Sequence, residues 1–192
     1  MYQKKLLIGI FLLITLSVVA AGCGSYLSRR FDGQNTLYLR NNIHVQEHSN
    51  QEYRASYANW TNPGKNHIVV PVNTLVTIGS FSRGFAITTQ AGHTIFFEYD
   101  EKNMGMSSEQ YIALITSPQP VSLNNLSEID LKGIKDGKAY VGMTKGGVRI
   151  ALGYPAVHRT PSLDSNTWIY WTNRFVPIAI EFDEKGIVKK IG

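Results

Sequence analysis

Apolar positions change regime three times along the chain. From Leu6 to Val19 they are nearly continuous, broken only by Gly9, Thr15 and Ser17, with Lys4 and Lys5 before the run and Ala20-Ala21-Gly22 after it. A charged start, an apolar middle and a small-residue exit predict a secretory signal peptide over residues 1–22. The run lies at the lower edge of the ~17–25 residues that a transmembrane helix needs, and its small residues sit where a peptidase needs access. Gly24–Asn35 is polar, small and basic without a period. It predicts a tether, residues 23–35, whose last twelve residues reach at most ~40 Å when extended.

From Thr36 to about Asp100 the pattern predicts short strands. Leu37, Leu39 and Ile43 open an alternating run, and His67–Ile78 is rich in β-branched residues with a break at Asn73. Phe85–Gln90 and His93–Tyr99 flank Ala91-Gly92, a spacer suited to a tight hairpin, and Ser82-Arg83-Gly84 suits the hairpin before it. Such spacing predicts a small barrel or sandwich of about SH3-like size. Ser108 is placed to cap a short helix running to about Thr116, with Tyr111, Leu114 and Ile115 on one face. In Ser117-Pro118-Gln119-Pro120 two prolines resist both helix and central strand, which sets a boundary between a mostly-β domain, 36–119, and a second domain, 120–192.

The second domain predicts helix, helix, strand, strand, strand. Ser127 with Asp130 has the form of a capping box, Ile129 and Ile134 supply apolar contacts, and Gly137 ends the helix. Thr144 is an N-cap for a second helix carrying Val148, Ala151 and Leu152, with Gly153 as a left-handed stop and Pro155 just beyond. Gly146 and Gly147 in its first turn each cost ~1 kcal/mol relative to Ala. Trp168–Trp171, then Ile178, Ile180 and Phe182, then Ile187–Ile191 after the turn Asp183–Gly186, predict three strands. Short connections favour antiparallel neighbours, with the helices covering one face. The fold class expected for the chain is α+β.

Composition narrows the function. Cys23 is the only cysteine, which excludes an intrachain disulfide, a thiol nucleophile elsewhere and a zinc–thiolate site. The formal net charge is +5, and Lys4 and Lys5 of that excess lie in the leader. Charges balance over 23–119, and the mild basic excess falls in 120–192. That density is low for a nucleic-acid binder and suits a face near anionic headgroups.

Val19-Ala20-Ala21-Gly22-Cys23 resembles the lipobox of bacterial lipoproteins. The resemblance implies cleavage before Cys23, a diacylglycerol on its thiol and acylation of the new N-terminus. Gly24 stands where an aspartate would resemble an inner-membrane retention signal, so the expected address is the periplasmic face of the outer membrane.

A second resemblance covers about residues 126–192. Gly142-Met143-Thr144, Val148, Ala151-Leu152-Gly153-Tyr154-Pro155, Asn166-Thr167-Trp168-Ile169-Tyr170, Phe182-Asp183 and Gly186-Ile187-Val188 are similar, in order and spacing, to the SmpA/OmlA/BamE family of envelope lipoproteins. The family implies two helices on a three-stranded antiparallel sheet. It also implies a protein partner, in the best-known case the complex that folds outer-membrane β-barrels. Gly146-Gly147, the short link Asn173–Pro177 and residues 36–119 depart from the family pattern. The motif residues themselves read as structural: Gly142, Gly153 and Gly186 as turns, Trp168, Tyr170 and Phe182 as core.

No catalytic constellation emerges. His44 and His48 bracket Glu47 at helical metal spacing, but in a strand or loop pattern without a third ligand, and read as solvated histidines. Ser162, Asp164 and His158 are triad types crowded into one proline-containing loop. Glu98, Asp100 and Glu101 read as a solvated strand end. The expectation is therefore a non-enzymatic envelope lipoprotein, without metal or cofactor and without nucleic acid, that binds a protein partner in outer-membrane assembly or envelope maintenance. The second class is a binding module of another kind: an inhibitor of an envelope enzyme, or a cell-wall or secretion-system accessory. The loop Tyr154–Asn166 is the expected docking segment. Tyr154 and Arg159 are hot-spot types on it, and Arg149 adds charge beside them.

Overall fold

The computed structural model describes residues 36–48, 52–62 and 64–192. The signal peptide, Cys23 and the tether lie outside them. The described chain runs β1 (Leu37–Leu39), β2 (Ile43–Glu47), β3 (Tyr53–Ser56), β4 (His67–Val70), β5 (Leu75–Phe81), β6 (Gly84–Thr89) and β7 (Thr94–Glu98). Then follow α1 (Glu101–Met104), α2 (Ser108–Ile115), β8 (Thr116–Ser117), α3 (Glu128–Asp136), α4 (Lys145–Leu152), β9 (Thr167–Trp171), β10 (Pro177–Phe182) and β11 (Val188–Ile191).

The α+β expectation is corrected. Eleven strands and four helices are present among the described residues, and the fold is mostly β, only 19% helical. Eight strands make one curled mixed sheet in the order β4-β2-β3-β7-β6-β5-β1-β8, and three make a second sheet in the order β11-β10-β9. The first is neither a closed barrel nor a two-sheet sandwich, and β3 and β7 pair in parallel. The fold is not the two-helix, three-strand arrangement that the family resemblance implies. The physical reason is visible at α3 and α4. They are short, nine and eight residues, and they are bonded to the larger sheet as well as packed on the smaller one.

That bonding runs through β2 and the residues before it. Asn42 N donates to Ile150 O at 2.8 Å. Asn42 Nδ2 donates to Ile134 O at 2.7 Å and Ala151 O at 3.3 Å, while Asn42 Oδ1 accepts from Val72 N at 2.9 Å. His44 Nε2 lies 2.9 Å from Ala151 O. Carbonyls at helix C-termini have no partner within their own helix, and here two side chains of the large sheet satisfy them. Asn73, in left-handed conformation at φ 66, bonds the Val121 backbone through both side-chain atoms. The chain after Pro120 is thereby tied back to the turn between β4 and β5.

Two apolar clusters result. The first fills the curl with Val76, Ile78, Ile87, Ile95 and Phe97, closed by Tyr111, Ile112 and Ile115 of α2. Alternation places Val76 and Ile78 inward on β5 and Ile95 and Phe97 inward on β7, as a sheet with one buried face requires. The second joins Val148, Ala151 and Leu152 of α4 to Trp168, Tyr170, Ile180 and Phe182.

The Ser127–Asp130 capping box is formed, and Asp130 is fully buried. Its carboxylate also accepts from Thr144 N at 2.8 Å and from Thr144 Oγ1, so one acid anchors the starts of both helices. This explains Gly147. A Cβ there would overlap the Asp130 carboxylate, whereas at Gly146 it meets only Thr144 Oγ1 at 3.6 Å. Gly147→Ala is expected to destabilise the fold by about 1–3 kcal/mol through overpacking. Gly146→Ala should stabilise it by about 0.4–1 kcal/mol through chain entropy. Urea unfolding of the two variants side by side reads the difference in sign.

Candidate functional site

Residues Tyr154–Asn166 leave α4 and return to β9. Its first part is packed, whereas His158, Arg159, Pro161–Asp164 and Asn166 are exposed. Pro155, Ala156 and Thr160 are buried, and Tyr154, Val157 and Ala156 belong to the first apolar cluster. Thr160 Oγ1 accepts from Ile169 N at 3.0 Å, pinning the loop to β9. Gly153 starts it at φ 83, ψ −171, which is not the left-handed stop expected of it. The buried Asn59 lies 3.0–3.2 Å from where a Gly153 Cβ would stand, and Asn59 Nδ2 donates to Tyr154 O. Tyr170 OH donates to Gly153 O at 2.9 Å. Burial raises the Tyr170 hydroxyl pKa well above its usual value, so it stays a donor.

On this packed base the structure brings two of the three expected docking residues together. Arg149 Cζ lies 5.4 Å from the Tyr154 ring centroid, a cation–π contact in which both residues are half-buried. Arg159 stands apart and exposed on the turn Val157–Arg159. Its neighbour His158 stacks on Trp171 at 5.6 Å. The segment Trp60–Asn62 extends the small sheet beside Trp171 through Thr61 N to Trp171 O and Asn62 N to Thr172 O, both 2.8 Å. Beyond Trp171, the turn between β9 and β10 is held by Thr172 N to Val176 O and by Asn173 Oδ1 accepting from Phe175 N. It leaves Phe175 83% exposed beside the exposed Arg174 and Val176. Sequence reasoning missed Phe175. Its only signal was an aromatic in a link too short to bury it.

The motif residues sit as follows. Met143, Val148, Leu152, Trp168, Tyr170, Phe182 and Val188 are buried in the second cluster. Gly142 and Gly186 take positive φ at turns, Thr144 caps α4, and Pro155 is buried. Cys23 lies outside the described residues.

The other sequence features disperse. Ser162 and Asp164 bond each other in an exposed turn, while the His158 ring faces Trp171. Glu98 pairs with Arg54 at 3.0 Å, Asp100 caps α1, and Glu101 Oε1 accepts from Ser108 N at 3.0 Å. His44 is not solvated. It is 4% exposed beneath the helices, and its ring stacks on His67 with Nδ1 3.0 Å from His67 Nε2. Burial lowers its pKa to about 4, with the His67 charge adding to the shift and the Ala151 bond opposing it. Among the described residues no group of three or more His, Cys, Asp or Glu is placed to hold a metal ion, and no helix is long and apolar enough to cross a membrane. Comparison with protein-family models, curated proteins and solved structures finds no match to the chain.

Proposed function

We propose that the chain is a non-enzymatic, lipid-anchored envelope lipoprotein that binds a protein partner in outer-membrane protein assembly or envelope maintenance. One observation carries the reading: the chain's only cysteine closes Val19-Ala20-Ala21-Gly22-Cys23 directly after a charged-then-apolar leader. The motif likeness of residues 126–192 to envelope lipoproteins supports the setting. The mostly-β fold gives no support to a BamE role in particular. Support for partner binding comes from the packed loop that presents Arg159, with the Arg149–Tyr154 pair at its base and Phe175 exposed on the neighbouring turn. Interface anchors are enriched in Tyr, Trp and Arg, and rigid presentation lowers the entropy cost of docking. A protruding aromatic on a pinned turn also favours a second reading, an inhibitor of an envelope enzyme, because such a tip fits a concave site.

The test is co-purification from detergent-solubilised envelopes, with the bound protein identified by mass spectrometry. Tyr154 packs on the core, so Tyr154→Ala would loosen the fold, and exposed positions make the cleaner variants. Arg159→Glu with Phe175→Ser is expected to weaken capture at least about tenfold, the loss of ~1.4 kcal/mol or more, with an unchanged unfolding midpoint. Full capture by the folded double variant would exclude this surface. A captured enzyme that loses activity when bound would favour the inhibitor reading.

A further inference from the structure

A cleft of about 820 Å³ lies among residues of β1 to β5 and the turn between β6 and β7, within the ~300–1,000 Å³ typical of small-molecule sites. Its floor is Val45 and Ile95, both buried, and its walls are Val70, Leu75 and Ile68. Ile68 is 40% exposed although it sits on β4, an edge strand of the sheet. Edge strands ordinarily carry charge or proline to prevent pairing with other chains, so a bare isoleucine facing a cleft calls for an occupant.

The chemistry of the lining selects the class of ligand. Among the described residues that line it there is no Lys, Arg, Asp or Glu. A charged group drawn onto the apolar floor would lose hydration with no charged side chain among those residues to face it. Three polar side chains of the wall are already engaged. Asn73 is bonded through both atoms to Val121, Thr74 Oγ1 donates to Pro71 O, and Thr89 Oγ1 donates to His93 O. Gln90 and His93 remain at the exposed rim, where the His93 ring lies 5.2 Å from that of Tyr53. A ligand rich in hydroxyls or amides would set most of them against the apolar floor and walls. A hydrocarbon body with one neutral polar end would not.

We infer that this cleft binds a neutral amphiphile, its hydrocarbon chain against Val45, Ile68, Leu75 and Ile95 and its uncharged polar end at Gln90 and His93. The site is separate from the partner surface, and the inference stands whether or not that surface binds a protein.

The experiment uses the full chain in native membranes with a photoreactive, alkyne-tagged monoacylglycerol. Irradiation is expected to label peptides containing Ile68 or Leu75, with excess unlabelled monoacylglycerol removing the signal. Ile68→Glu should reduce labelling at least tenfold, and Ala91→Trp, an exposed rim position, should do the same should the first variant fold poorly. Phe175→Ser should leave labelling unchanged. Labelling elsewhere, labelling that resists competition, or undiminished labelling in a folded cleft variant overturns the inference. Equal labelling by a fatty-acid carboxylate probe overturns the neutral-end assignment.

Discussion

Trp168→Ala is expected to lower the unfolding free energy by about 3–5 kcal/mol, the range for truncating a large aromatic in a core. Trp168 is 2% exposed in β9, cross-strand from Ile180, and meets Phe182 edge-on at 4.8 Å. It touches both layers of its cluster, so its loss opens a cavity between α4 and the small sheet that neither can close alone. Its indole Nε1 has no acceptor among the described residues. Trp168→Phe therefore removes volume without breaking a hydrogen bond and should cost less than the alanine. Urea unfolding measures both, and an alanine variant as stable as the parent would contradict the packing described.

Acidification is expected to loosen the same region through His44. In the folded chain Nε2–H donates to Ala151 O, so Nδ1 is left to accept from His67 Nε2–H. A second proton on His44 has no place in that arrangement. The facing charges oppose it too. His67 on β4 lies against the ring, and Lys138, beyond α3, acts on His67, whose own pKa is lowered by burial first and by Lys138 second. His44 titrates near 4 when folded, against an ordinary 6.5. Between those values the unfolded chain binds more protons, so stability rises with pH across that window. The contribution is complete above pH 6.5 and is lost as pH falls towards 4, amounting to about 3 kcal/mol at 1.36 kcal/mol per unit. The readout is the difference between the parent and His44→Leu, because carboxylates titrate in both. Parallel pH profiles for the two proteins would refute the assignment.

Local chemistry was readable in the chain where a few neighbouring residues decide the outcome. Asn73 breaks β4 from β5 because its side chain tolerates left-handed backbone and locks Val121. The Ser127–Asp130 box and the Thr144 cap form because their hydroxyls reach N–H groups three residues on. What depends on distant partners was not readable. The parallel pairing of β3 with β7 leaves no periodic trace. His44 reads as a polar position on a strand, and its burial is explained by distant partners, the carbonyl of Ala151, 107 residues away, and the ring of His67. Gly147 reads as a helix weakness until the Asp130 carboxylate is placed beside it. The α+β expectation failed for a related reason. The helices were legible by period and caps, while the extent of the large sheet rests on β2, β3 and β8, short segments whose pairing is non-local. The Ser117–Pro120 break conceals that Thr116–Ser117 joins the sheet edge as β8.

The mass of the chain purified from a bacterial envelope tests the central proposal most directly. Residues 1–22 are expected to be absent, and the N-terminal peptide to begin at Cys23 with a thioether-linked diacylglycerol and an N-acyl group. Cys23→Ser should retain the leader and carry no lipid. A purified chain that still begins at Met1 with a free Cys23 thiol, or lipid that persists in Cys23→Ser, would contradict the anchor and the function built on it.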